Sequence, residues 1–173
     1  MKAIIRKDEE AVSPVIATIL MVAITVVLAA VLYVMVSGLI TSPGTSKPTV
    51  ALGTATLVGS FKNESIPVAS ASQSVAPTNY KVNLLFGSTT GVAVAAPATS
   101  GAGGQVSVVV GANTYKIAWT DIGGEGTVNG GDSFTVTFWG STNVQATMPS
   151  GSYTFFLLWS DGSQITSQTF SVS

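Results

Sequence analysis

The densest run of ligand-type oxygens in this 173-residue chain is DIGGEGTVNGGD at positions 121–132. Its twelve positions align with the calcium loop of EF-hand type: Asp121 first, Glu125 fifth, Gly126 sixth, apolar Val128 eighth and Asp132 twelfth. Calcium takes about six to eight oxygens, and Asp121, Glu125, the Thr127 carbonyl, Asn129 and Asp132 would supply most of them. The loop departs from that pattern in having Gly123 third and the shorter Asp at the last position, and its flanks read as strands. The competing reading is a glycine-rich hairpin loop between Tyr115–Thr120 and Ser133–Trp139 whose acids are simply solvated. A second chemical candidate is the sequon Asn63-Glu64-Ser65, which offers the Asn63 amide as an N-glycosylation acceptor in a stretch that reads as exposed loop.

Other chemistry is excluded by composition. Without cysteine or histidine there is no thiol nucleophile, no Ser-His or Cys-His dyad, no zinc site and no imidazole pH switch. Seven Lys and Arg against eight Asp and Glu give no basic field for nucleic acid, so no such partner is expected. After residue 46 the only carboxylates are Glu64, Asp121, Glu125, Asp132 and Asp161, most of them beside turn glycines, and they form no recognisable catalytic constellation. The expectation is a protein that is not an enzyme and has no cofactor beyond the calcium candidate.

The elements that would position these residues fall into two halves. Lys2, Arg6, Lys7, Asp8, Glu9 and Glu10 crowd the first ten residues, and the next charge is Lys47. Between them Ala11 to Ile40 reads AVSPVIATILMVAITVVLAAVLYVMVSGLI. A bilayer-crossing helix needs about 20 apolar residues. This run exceeds that and is apolar on every face, so it inserts rather than lying on a surface. Ser13 suits the N-cap and Pro14 the first helical position, where a missing N–H costs nothing. Gly38 and then Ser42-Pro43-Gly44 are expected to end the helix. The basic residues before the span place the N-terminus in the cytoplasm and the rest outside. The span is too long for the core of a cleavable secretory signal.

From about Thr49 the text turns to Ser, Thr, Gly and β-branched residues with period-two alternation. Val82, Leu84 and Phe86 share a face, as do Tyr115, Ile117 and Trp119, then Phe134, Val136 and Phe138, then Tyr153, Phe155, Leu157 and Trp159. Phe156 and Leu158 predict burial of that last strand on both sides. Ser160 to Ser163 reads as a tight turn into a strand over Gln164–Val172. Asn63–Asn79 and Gly87–Gly104 read as long loops or edge strands, the alternative being weakly patterned strands, of which the alternation of Val92 and Val94 suggests one. Ten of fourteen aromatics follow residue 114, which puts most of the packing in the C-terminal strands. Trp139 and Trp159 are expected in the core. The fold class is α+β: a long hydrophobic N-terminal helix followed by an antiparallel immunoglobulin-like β-sandwich head.

Ala11–Val36, AVSPVIATILMVAITVVLAAVLYVMV, closely resembles the N-terminal helix of archaeal type IV pilins, whose signature runs AVSPVI, ILMVAITV and LAAV. The resemblance implies a precursor with a class III signal peptide. Residues 1–10 would be a charged leader removed by a prepilin peptidase, cleavage falling in the region of Glu9, Glu10 and Ala11 and favoured between the last two. Residues 11–40 would be the membrane and filament-core helix, 41–48 a linker and 49–173 an extracellular head. It further implies an assembly ATPase and a membrane platform protein as partners, and a homopolymer joined through helix positions such as Val15, Ile19, Ala23, Val27 and Ala30. The precursor would sit in the cell membrane and the product would be an adhesive surface pilus. Where bacterial pilins usually carry a glutamate at the fifth mature position, this chain has Val15. Two alternatives remain: a monomeric membrane-anchored β-sandwich that binds a ligand, and a minor pilin.

Overall fold

A computed structural model describes residues 14–40 and 46–173. Helix α1 spans Pro14–Ile40 and belongs to one unit; the head, Lys47–Ser173, is the other. Proline at the first helical position gives up no helical hydrogen bond. Hydroxyls along α1 are absorbed by its own backbone: Thr18 donates to the Val15 carbonyl at 2.9 Å, and Thr25 to those of Met21 and Val22 at 3.0 and 2.9 Å. Gly38 does not end the helix as expected, because one glycine costs only about 1 kcal/mol against alanine and the helix runs two residues further.

The head has eleven strand segments: β1 Val50–Leu52, β2 Thr56–Val58, β3 Asn63–Ala71, β4 Tyr80–Phe86, β5 Thr89–Thr90, β6 Val94–Ala95, β7 Val106–Val110, β8 Asn113–Thr120, β9 Ser133–Gly140, β10 Gly151–Trp159 and β11 Gln164–Val172. One sheet runs β1-β3-β9-β8-β7, with β2 continuing along the same strand as β1; the other runs β11-β10-β4-β5, with β6 also on β4. Named in chain order A (β1), B (β3), C (β4), D (β8), E (β9), F (β10) and G (β11), the sheets are A-B-E-D and G-F-C. That is the immunoglobulin arrangement, with β7 added beyond D. The expected sandwich is what the chain forms.

Alternation fixes the interior. Tyr153, Phe155, Leu157 and Trp159 on β10 point inward against Tyr115, Ile117, Trp119, Phe134 and Val136 of the other sheet, all buried. Phe134 and Phe155 meet across the layers with ring centroids 5.5 Å apart. Tyr153 stacks between Phe86 and Phe170, at 4.5 and 5.4 Å. Its hydroxyl donates to the Pro149 carbonyl at 2.9 Å, near the start of strand F, which is the tyrosine corner of this fold type.

Three expectations need correction. Phe156 and Leu158 are only half-buried, because β10 belongs to a two-layer sandwich and its second face meets solvent, not a third layer. Asn63–Ala71 is no loop or edge. It is an interior strand between β1/β2 and β9 that buries Glu64, Ile66 and Val68. Trp159 is core, in edge contact with Tyr80 at 5.5 Å, but Trp139 lies half-buried on the outer face.

Each sheet has one broken edge, β1/β2 in the first and β5/β6 in the second, while the opposite edges β7 and β11 are continuous. Between β1 and β2 the Gly53 N–H donates to the Pro67 carbonyl at 2.7 Å, and a Cβ there would stand 2.9 Å from Pro67 Cγ. Between β5 and β6 the Gly91 N–H donates to the Leu84 carbonyl at 2.9 Å, and a Cβ would stand 2.8 Å from Val108 Cγ1.

Candidate functional site

On α1, Val15, Ile19, Ala23 and Val27 follow one another at the four-residue spacing that keeps side chains on one face. Ala30 lies three residues further, close to the same line. Within the chain the large side chains of α1 from Val15 to Val36 are exposed all round the helix. Small residues leave shallow apolar grooves: one of about 270 Å³ is lined by Ala23, Ile24, Val27 and Leu28, and another of about 470 Å³ by Ala30, Val31, Val34 and Met35. Such grooves accept the ridge of a second helix. Val15–Ser37 is also long and apolar enough to cross a membrane.

Residues 10–52 match the family described as archaeal type IV pilin, N-terminal. This segment is similar to a pilin N-terminal domain. Comparison with curated proteins gives no match. The pilin match starts at residue 10, covers α1 and ends with β1, so it supports a type IV pilin subunit, and pilins are structural subunits rather than enzymes. Glu9, Glu10 and Ala11, expected to frame cleavage of the pilin leader, lie outside the described residues.

In the head, the loop after β8 is organised by its own carboxylates. Asp121 accepts the Gly124 and Gly126 N–H groups at 2.6 and 2.8 Å, and these bonds hold its carboxyl below the usual aspartate range. Asp132 is buried and accepts the Ile122 and Asn129 N–H groups at 3.1 and 2.9 Å. Asn129 Nδ2 reaches Thr127 Oγ1 at 3.0 Å and Glu125 Oε2 at 3.4 Å, while its Oδ1 accepts from Ser74 at 2.7 Å. Val128 N–H to the Val75 carbonyl, 2.9 Å, ties the loop to the segment after β3. The structure thus brings Glu125, Asn129 and Asp132 to the lining of one open depression of about 600 Å³ and turns Asp121 onto amides. Among the described residues no cluster of three or more His, Cys, Asp or Glu side chains is placed to hold a metal ion.

Asn63 is the first residue of β3, half-buried, its Oδ1 accepting from Gln145 Nε2 at 3.3 Å. The sequon therefore sits where a turn becomes a strand, with Glu64 turned inward behind it.

Sequence reasoning missed three residues. Tyr153 was read as core without its hydroxyl contact; its place near the start of a strand four residues after Pro149 was the available signal. Lys116 places its ammonium 3.4 Å from the Trp139 ring centroid, and Trp139 Nε1 donates to Thr137 at 3.0 Å, so an outward tryptophan is held by its neighbours. Glu64 gave no signal of burial beyond its alternation with Ile66 and Val68.

Proposed function

We propose that the chain is the precursor of a structural subunit that polymerises into an extracellular archaeal type IV pilus for surface adhesion. The observation that carries this reading is the pilin match at residues 10–52 on a helix that is apolar over its whole circumference. A helix of that kind stays out of water in two settings, a bilayer before assembly and a bundle of identical helices afterwards. In this reading the N-terminus is cytoplasmic and a prepilin peptidase cuts beside Ala11. An assembly ATPase and a platform protein lift the subunit, and the sandwich faces the medium, where Asn63 can receive a glycan. The abundant serine and threonine hydroxyls hydrate a head that has few charges to do so.

The test is the N-terminal sequence of the protein in fibres sheared from its source cells. A start within residues 9–11 in that fraction is expected. An intact Met1, or retention of the protein with membranes, would instead make it an anchored surface protein.

A further inference from the structure

Glu64 differs from the carboxylates around it. Asp121, Asp132 and Asp161 each accept backbone amides, whereas Glu64 is 2% exposed and, among the described residues, no hydrogen bond or ion pair offsets its burial. It faces inward because Ile66 and Val68 do, two and four residues along an alternating strand. Val136 of β9 stands opposite it on one side and Leu57 of β2 on the other.

The groups that could answer its charge are few. Neither β2 nor β9 contains an ionisable residue. Lys62, in the turn before β3, gives its ammonium to the carbonyl of Ser173. The segment 141–149, tied on through the Met148 N–H and the Phe61 carbonyl at 3.0 Å, has no charge. β8 contributes Tyr115 and Lys116, the latter engaged on the outer face with Trp139. From the opposing sheet comes Tyr153, which donates to Pro149.

We propose that Glu64 is a proton latch: uncharged, it lets β2 and the Phe61 turn seat on the edge of β3, and ionised, it drives that edge open. An ionised carboxylate with no partner and so little contact with water is costly, and the cheapest relief is to release the weakest cover. β2 has three residues, all exposed, and the break at Gly53 separates it from β1. The proposal goes beyond the pilus reading and stands or falls without it.

The sign follows from linkage. Burial raises the Glu64 pKa above its ordinary 4.5, so the closed edge holds a proton that the open edge releases. Opening is therefore independent of pH below the ordinary value. Above it the opening constant rises about tenfold per pH unit, until the closed form itself ionises.

Hydrogen exchange on the full chain in detergent micelles, from about pH 4 to about pH 8 and corrected for intrinsic rates, reads this directly. Peptides covering residues 55–66 are expected to lose protection about tenfold per pH unit over part of that range, while those of β10 stay unchanged. Glu64→Gln keeps the shape without the charge and should flatten the profile. Protection of residues 55–66 that ignores pH in the wild type overturns the proposal, as does an equal slope in the Gln variant. Should that variant not fold, the wild-type contrast between residues 55–66 and β10 decides alone.

Discussion

Replacing Tyr153 with Phe removes one oxygen and leaves the Pro149 carbonyl without its donor. The ring would keep its stacking on Phe86 and Phe170, so the loss is that of one hydrogen bond, about 1–1.5 kcal/mol. Asp132→Ala should cost more, about 2–3 kcal/mol, because it removes a buried carboxylate that accepts two amides, those of Ile122 and Asn129. Denaturant titration followed by tryptophan fluorescence measures both. All three tryptophans, Trp119, Trp139 and Trp159, lie in the head, so the signal from the full chain reports the sandwich alone. If Asp132→Ala proves the milder of the two, the loop owes its order to something other than that carboxylate.

For α1 the governing quantity is the absence of any polar face. A single charge placed at Ala23 or Val27 enters the groove they share with Ile24 and Leu28, where a packed neighbour offers it no partner. Ala23→Asp should therefore abolish fibres on the cell surface while leaving the head's unfolding midpoint unchanged. Abundant fibres from that variant would mean the groove is not an interface. The helix was legible from its uninterrupted apolar run, the strands β4, β8, β9 and β10 from their alternation, and β11 from the turn that precedes it. β3 was not, although Glu64, Ile66 and Val68 alternate as cleanly, because a proline and a buried acid both argue against an interior strand. The structure shows why the proline is tolerated. The Pro67 carbonyl faces the stretch where β1 gives way to β2, and a strand residue directs N–H and C=O to the same neighbour, so the missing donor falls in the gap. The loop after β8 was legible as a turn rich in acids. Which acids would cap amides was not, since that depends on loop dihedrals that ligand spacing does not encode.

The head as a whole carries nine charged side chains, so its response to pH is the sum of very few groups. Asp121 and Asp161 have folded pKa values below their ordinary 3.8. Their stabilisation is present above that value and is lost as pH falls through the folded ones. Glu64 acts in the opposite sense above 4.5. Thermal midpoints of the head should peak between these limits and decline on both sides. A plateau extending to neutral pH would contradict the Glu64 limb, and an undiminished midpoint at about pH 2 would contradict the aspartate limb. Far above both, burial holds the Tyr80 phenol up to about 12, above its ordinary 10.0, so by the same linkage the fold loses stability again as pH rises past the ordinary phenol value.

The glycine breaks at Gly53 and Gly91 have a consequence for neighbours as well as for the fold. In the proposed pilus, thousands of nearly neutral sandwiches stand side by side at very high local density, with little charge repulsion to separate them. A straight outer strand on such a head is a template onto which the next head could zip. Each break interrupts that template after two or three residues, too short a run to hold a foreign strand. At these two edges a neighbouring head would find no run long enough to pair with, which leaves β7 and β11 as the unbroken outer strands of the head.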